Sequence, residues 1–188
     1  MDELARTAAD AADGDPLAAA ALVRETQSDV WRLCAALGDP QSADDLTQET
    51  YLRAFGSLHR FEGRSSVRTW LLSIARRVCA DAVRSLRRRR VTLVGDDAAL
   101  ESLGPGPGRA DRTAEGVAVT DLLARLDADR REAFVLTQLL GLPYAEAAEV
   151  AGCPVGTVRS RVARARTDLI ASLAGVNRDS AEGDAAHA

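Results

Sequence analysis

Residues 144–166 read YAEAAEVAGCPVGTVRSRVARAR. A short helical run ends at Gly152-Cys153-Pro154, which makes a tight turn, and a longer helix opens at Val155 and continues to about Leu173. Two helices joined by a short glycine-containing turn form a helix-turn-helix. At about 100° per residue, Val158, Val162, Ala165 and Leu169 fall on one narrow stripe, which packs inward. Thr157, Ser160, Arg161 and Arg164 fall on another face, and Arg159 and Arg166 flank its opposite side. That division suits a recognition helix. Arginine can bond guanine bidentately in the major groove, and arginines at the edges hold the backbone. Gly156 and Thr157 sit in the first turn, where free amides attract phosphate. Ala147 and Ala148 are small enough to let the two helices approach. The competing reading is a solvated arginine-rich helix of an ordinary bundle. The absence of any acid between Glu149 and Asp168, together with the turn, favours DNA.

Around this motif the chain is all-α in character. Hydrophobic residues make up 46% and aromatics only 4%, so the core rests on Leu, Val, Ile and Ala, and alanine and leucine are strong helix formers. Two helical blocks are expected, at 16–90 and 113–174. Between them, residues 91–112 contain Gly104-Pro105-Gly106-Pro107-Gly108, which no helix can cross, and read as a flexible linker. Residues 175–188 are small and polar and read as a disordered tail. The net charge of −4 speaks weakly against a nucleic-acid binder, but the charge is partitioned. Every basic residue is arginine, and the arginines cluster at 84–90 and 159–166, while acids gather in 2–15, 96–101 and the tail. Local basic faces matter more for DNA than the total.

The same composition narrows the chemistry. Cys34, Cys79 and Cys153 are odd in number, far apart in sequence and without a C-x-x-C pair, so reduced thiols are expected rather than a disulfide framework or zinc site. With only His59 and His187, no metal-ligand cluster is expected, and no cofactor. The acidic N-terminus is not a signal peptide, and no stretch has the length and apolarity to insert in a membrane, which points to the cytoplasm.

In the first block, Ser42-Ala43-Asp44-Asp45 resembles a capping box, and Tyr51, Ala54, Phe55 and Leu58 share a face of the helix that follows. After the polar loop 62–66, a second helix carries Val67, Leu71, Ile74, Ala75, Val78 and Ala82 on one stripe and Arg77, Asp81, Arg84 and Arg88 on another. In the second block, 129–132 (DRRE) suggests a capped helix start, and Gly141 and Pro143 end that helix.

The runs DDLTQETYLRAF (44–55), FEGR (61–64) and TWLLSIARRVCADAVR (69–84) resemble region 2 of the extracytoplasmic-function, or group 4, sigma factors of the sigma-70 family. PVGTVRSR (154–161) and RAR (164–166) resemble that family's region 4. Two motifs in the right order, separated by a linker of suitable length, are far more specific than either alone. The resemblance implies a non-enzymatic transcription initiation factor made of a region 2 bundle and a region 4 helix-turn-helix. It implies that helix 44–55 docks on the β′ clamp helices of core RNA polymerase, with Asp45, Gln48, Glu49 and Arg53 as the polar residues able to do so, and that the β flap is a second polymerase contact. It implies that the loop from Phe61 and the helix after it open and read the −10 element as single-stranded DNA through Phe61, Arg64, Arg68, Arg76, Arg77, Arg84 and Arg87, with Trp70 ranked lower as a core anchor. The −35 duplex then falls to Gly156, Thr157, Arg159, Ser160, Arg161, Arg164 and Arg166. Arg77 stands where many relatives carry Asn, which favours a phosphate contact there, and Ala163 stands where relatives often carry a bulkier residue. The linker acids Asp96, Asp97 and Glu101 either mimic nucleic acid in the polymerase or keep a spacer soluble. An anti-sigma factor is a further implied partner.

Three other readings compete. A helix-turn-helix regulator working without core polymerase would need a sensor or dimerisation element, and the first block offers neither. A hydrolase or nuclease built on Asp44, Asp45 and Glu49 lacks a metal or nucleophile constellation. An anti-sigma partner would not carry arginine-rich faces in both blocks. The glycine-proline stretch implies that the two blocks fold independently; the sequence leaves open whether they dock in the free protein, which would hide those faces.

Overall fold

The computed structural model describes residues 3–38, 40–93, 119 and 121–185. Among them there are helices and turns but no strand, as the composition implied.

Helix α1 (Glu3–Ala12) precedes the expected first block. It buries Ala8 against the bundle, with Leu4, Ala5 and Ala11 partly covered beside it. Asp15 then caps α2 (Pro16–Leu37): its carboxylate accepts from the Leu17 amide at 2.8 Å, and Pro16 takes the first helical position, where a missing N–H costs nothing. Leu22, Thr26, Val30, Leu33 and Cys34 form the inward stripe of α2. The helix stops at Gly38, where a Cβ would sit 2.5 Å from a methyl of Leu46, so α3 crosses close by.

Helix α3 (Ala43–Ser57) follows a 3₁₀ turn at Pro40–Ser42. That turn overrides the expected capping box. Ser42 has non-extended dihedrals, and its side chain makes no cap bond. Tyr51 and Ala54, followed by Leu58, pack inward as read, with Leu46 buried beside them, but Phe55 is 37% exposed, because α3 presents that edge to solvent. Tyr51 reaches the Thr26 hydroxyl on α2 at 2.7 Å, and Thr26 in turn donates to the Leu22 carbonyl. Helix α4 (Val67–Leu93) starts at Ser66, whose hydroxyl accepts from the Thr69 amide at 3.1 Å. Val67, Leu71, Leu72, Ile74, Ala75, Val78 and Cys79 are buried between α2 and α3, and Ala82 is partly buried.

Helix α4 runs through the arginine cluster to Leu93, so the first three residues of the expected linker are helical; the rest of 91–112 lies outside the described residues. In the second module, Leu123 and Leu126 are buried, and Asp127 caps α5 (Ala128–Phe134), two residues before the cap read from sequence. A π-turn at Val135–Leu139 ends α5 ahead of Gly141. Helix α6 (Tyr144–Ala151), Gly152 and α7 (Val155–Ala185) complete the helix-turn-helix.

Helix α7 extends to Ala185, past the boundary at 174 read from the sequence. Gly175 alone costs a helix only about 1 kcal/mol, and no proline follows it. The two modules also pack on each other, α4 on α6 and α2 on α5, and their buried apolar residues join in one cluster.

The turn of the helix-turn-helix rests on Gly152, which is left-handed at φ +64° and ψ +37°. An added Cβ there would touch nothing within 4 Å. Gly152→Ala should therefore lower stability by about 1–2 kcal/mol through backbone strain alone, and Gly152→Asn by less. Thermal unfolding of the three proteins measures this; equal Tm values would show that the turn relaxes.

Candidate functional site

The sequence points to three surfaces. The first is the outward face of α7. Its inner stripe packs as read: Val158, Val162, Ala165 and Leu169 are all buried. Gly156, Arg159, Ser160, Arg164 and Arg166 are exposed, and Thr157 and Arg161 are half-buried. Arg164 makes no hydrogen bond or ion pair among the described residues. Arg159 lies over the Tyr144 ring, 5.9 Å from its centroid, which steers it along the face. Arg166 donates to the Gln138 side chain at 2.7 Å. Arg161 is the least available: it is ion-paired with Asp129 of α5, and its guanidinium is 3.5 Å from the Cys153 sulfur. Spacing along α7 shows none of this, because Asp129 arrives from another helix.

The second surface is the loop 61–66 with α4. Phe61 packs on Trp70 with centroids 5.1 Å apart, so Trp70 braces the loop rather than standing free. Arg64 is exposed beside Glu62, and Arg77 is exposed with no bond to any described residue. Arg84 donates to Asp81 at 2.5 Å. The side chain of Arg87 lies outside the described residues.

Arg68 and Arg76 are engaged elsewhere. Arg68 pairs with Asp29 at 2.7 Å and donates to the Leu140 carbonyl at 2.5 Å. Arg76 is ion-paired with Glu132, which is buried. Next to them, Thr69 donates to Glu146 of α6 at 2.6 Å. The bonds to the Leu140 carbonyl, Glu132 and Glu146 join the two modules. Sequence reading missed Thr69, Glu132 and Glu146, since nothing local marks an acid on α5 or α6 as the partner of a side chain more than fifty residues away. The docked arrangement leaves about a third of the Arg68 and Arg76 side chains exposed and the outward face of α7 open, so the arginine faces are only partly hidden.

The third surface is the outer face of α3. Asp45 and Gln48 are exposed and Glu49 is half-buried. Leu52, at 70% exposed, and Phe55 lie on the same side, an apolar strip that the search for polar contacts passed over. Arg53 is held between Glu49 at 2.7 Å and Asp81 at 2.9 Å, which ties α3 to α4. Bonds from Arg53 and Arg84 hold the Asp81 carboxyl below the usual carboxylate range. This tie is therefore intact above that range and is lost as the pH falls through the lowered value. Asp44 is used differently from Asp45: it accepts from the Trp31 indole at 2.8 Å.

No group of His, Cys, Asp or Glu among the described residues is placed to hold a metal ion. Cys34 and Cys79, distant in sequence, meet in the core, and the Cys34 sulfur together with burial pushes the Cys79 thiol up, keeping it protonated.

Known proteins match these surfaces in order. The sigma-70 region 2 family matches residues 22–89, and sigma-70 region 4 matches residues 116–169. The ECF RNA polymerase sigma factor SigC of Mycobacterium tuberculosis is 56% identical over 161 residues, which is 86% of each chain. This chain belongs to the extracytoplasmic-function sigma factors. It is an alternative RNA polymerase sigma factor, a transcription initiation factor with a region 2 bundle and a region 4 helix-turn-helix. Two solved sigma factors share its fold. CnrH, in complex with the cytosolic domain of CnrY, superposes with a TM-score of 0.71 at 28% identity, over 93% of this chain and 99% of that one. RpoE of Bartonella quintana, in complex with the anti-sigma factor NepR, gives 0.61 at 29% identity, over 78% and 91%.

In this sigma factor the contact between regions 2 and 4 combines a shared apolar cluster with polar bonds from Arg68, Thr69 and Arg76. Arg76 keeps about a third of its side chain exposed, so its pair with Glu132 is worth about 1 kcal/mol rather than the value of a sealed ion pair. Replacing Glu132 and Glu146 together by Gln should therefore separate the regions without unfolding either. Small-angle scattering should show a larger radius of gyration at unchanged helical circular dichroism. An unchanged radius would mean that apolar contacts alone hold the regions together.

Proposed function

We propose that this sigma factor binds core RNA polymerase through the outer face of α3, reads a −35 duplex with α7, and holds unstacked bases of the −10 element with the loop 61–66 and α4. The observation that carries the reading is the outward face of α7. Arg159, Ser160 and Arg164 are exposed there, opposite a fully buried stripe and with no acid along the helix before Asp168. A helix so divided has donors only for something anionic and grooved.

On α7, Arg164 is the base reader, because it is exposed and without an internal partner. Arg159 and Arg166 lie at the flanks and hold phosphates, with Gly156 and the Thr157 amide at the helix start. Arg161 joins them once it leaves Asp129. In region 2, Arg77 and Arg84 track the backbone beside Phe61 and Arg64, Arg87 follows them in the sequence, and Arg68 and Arg76 become available when the regions separate. On α3, Asp45, Gln48, Glu49 and Arg53 make the polar contacts to the β′ clamp helices, with Leu52 and Phe55 as the apolar anchors between them; the β flap is the second polymerase contact. A protein working on polymerase acts in the cytoplasm, and no helix among the described residues is long and apolar enough to cross a membrane. Both solved relatives are complexes, one of them with an anti-sigma factor, which supports such a partner here.

Two measurements test the assignment. Arg164→Ala should cost about 1–3 kcal/mol on the preferred −35 sequence and relax preference at one position, whereas Arg159→Ala and Arg166→Ala should weaken all sequences alike and flatten the salt dependence. If all three leave preference and salt slope unchanged in a binding series over −35 variants, α7 is not the reader. On α3, Asp45→Arg combined with Leu52→Asp should weaken the complex with core polymerase at least tenfold, about 1.4 kcal/mol, while helicity is kept. Unchanged polymerase affinity would move the contact to another face.

A further inference from the structure

A cavity of about 710 Å³ lies between α1 and the loop that follows α3. Its volume is in the range of ligand-sized sites. One wall is the loop, with His59, Phe61 and Glu62, and the opposite wall is α1, with Ala9, Ala12 and Asp13. Residues 1–15 lie before the matched region 2 segment, and no feature of their sequence had marked them for function.

Helix α1 is a fixed wall. Ala8 is buried and its neighbours pack on the bundle, so the helix belongs to the fold of region 2. Its end is pinned by backbone bonds, from the Asp13 amide to Ala9 at 3.1 Å and from the Asp15 amide to Asp10 at 3.1 Å, with Gly14 between them at φ +96°. Asp13 is therefore set in place at the cavity rim. Ala9 and Ala12 are small and exposed, which keeps that side open.

The chemistry of the lining selects among nucleic-acid groups. Asp13 and Glu62 bring carboxylate oxygens, which accept from donors, and Glu62 already faces the Arg64 guanidinium at 3.1 Å, so Asp13 is the acceptor left for a ligand. Phe61 offers a ring for stacking. A nucleobase with an exocyclic amine (cytosine, adenine or guanine) can enter amine-first and donate to a carboxylate. Thymine has no such amine.

We propose that α1 forms one wall of the base-holding site of the −10 loop, and that Asp13 makes this site select an unstacked base carrying an exocyclic amine. This rests on the −10 assignment above. It adds a helix that lies outside the matched regions as a determinant of promoter choice.

The test uses holoenzyme, reconstituted from core polymerase and the full chain, bound to promoter fragments whose −10 segment is a randomised unpaired bubble. The wild type should disfavour thymine at one unpaired position by about five- to tenfold, the effect of one hydrogen bond. Asp13→Asn, whose amide can also donate, should reduce that to under about twofold at the same position only. Ala9→Leu keeps a good helix former at an exposed position and fills the cavity, so it should erase selection there with the fold intact. Profiles identical to wild type for both variants would overturn the proposal. So would stronger binding after removal of residues 1–13, since α1 would then be a cover and not a wall. Phe61→Leu separates the two levels: if it alters the −10 profile while both α1 variants are silent, only the role of α1 is lost; if it is silent too, the −10 assignment falls with it.

Discussion

Helix α4 has to satisfy two neighbours at once. Its inner stripe, from Val67 through Cys79, fills the space between α2 and α3. Side chains follow each other by about 100° around a helix, so the residues between those apolar positions point elsewhere. Here they are Arg68, Thr69 and Arg76, and region 4 covers them. A covered polar group costs free energy unless it finds a partner. Each of these does: Arg68 at Asp29 and the Leu140 carbonyl, Thr69 at Glu146, Arg76 at Glu132.

Such a contact differs in kind from the packing inside either region. Within region 2, the bonds among buried groups are between neutral residues, such as Thr26 with Tyr51, and are enclosed by leucine and valine. Between the regions, the bonds involve charged groups that are partly in water. Domain contacts of that composition resemble transient interfaces between proteins. Two arginines proposed for DNA are thereby used internally, while the face of α7 proposed to read DNA stays exposed. The free chain thus has its halves in unequal states of readiness.

Helix α3 shows the same economy. Asp44 and Asp45 are adjacent, yet one is bonded to the Trp31 indole and the other faces solvent. Arg53 links α3 to α4 through Asp81 while remaining on the surface assigned to polymerase. The exposed Leu52 and Phe55 supply what charged residues cannot, since desolvated apolar area at the centre of an interface holds partners together after charge has oriented them.

The sequence by itself determined the all-α class, the helix-turn-helix and the inward stripe of α7. These depend on residues within about three turns of one another, where periodicity and glycine placement act directly. The family followed for the same reason, since its motifs are contiguous runs. Tertiary structure alone decided which arginines are available. Arg161 and Arg164 are equivalent on a helical wheel, but Asp129 of another helix reaches only the first. Arg76 and Arg77 are neighbours in the chain, yet Glu132 takes one and the other is left to solvent. The first helix escaped notice because alanine and acids on a short segment form a helix only weakly on their own; burial of Ala8 against the bundle is what holds it. An ion pair between distant segments depends on where the backbone brings the two charges, and no local pattern encodes that distance.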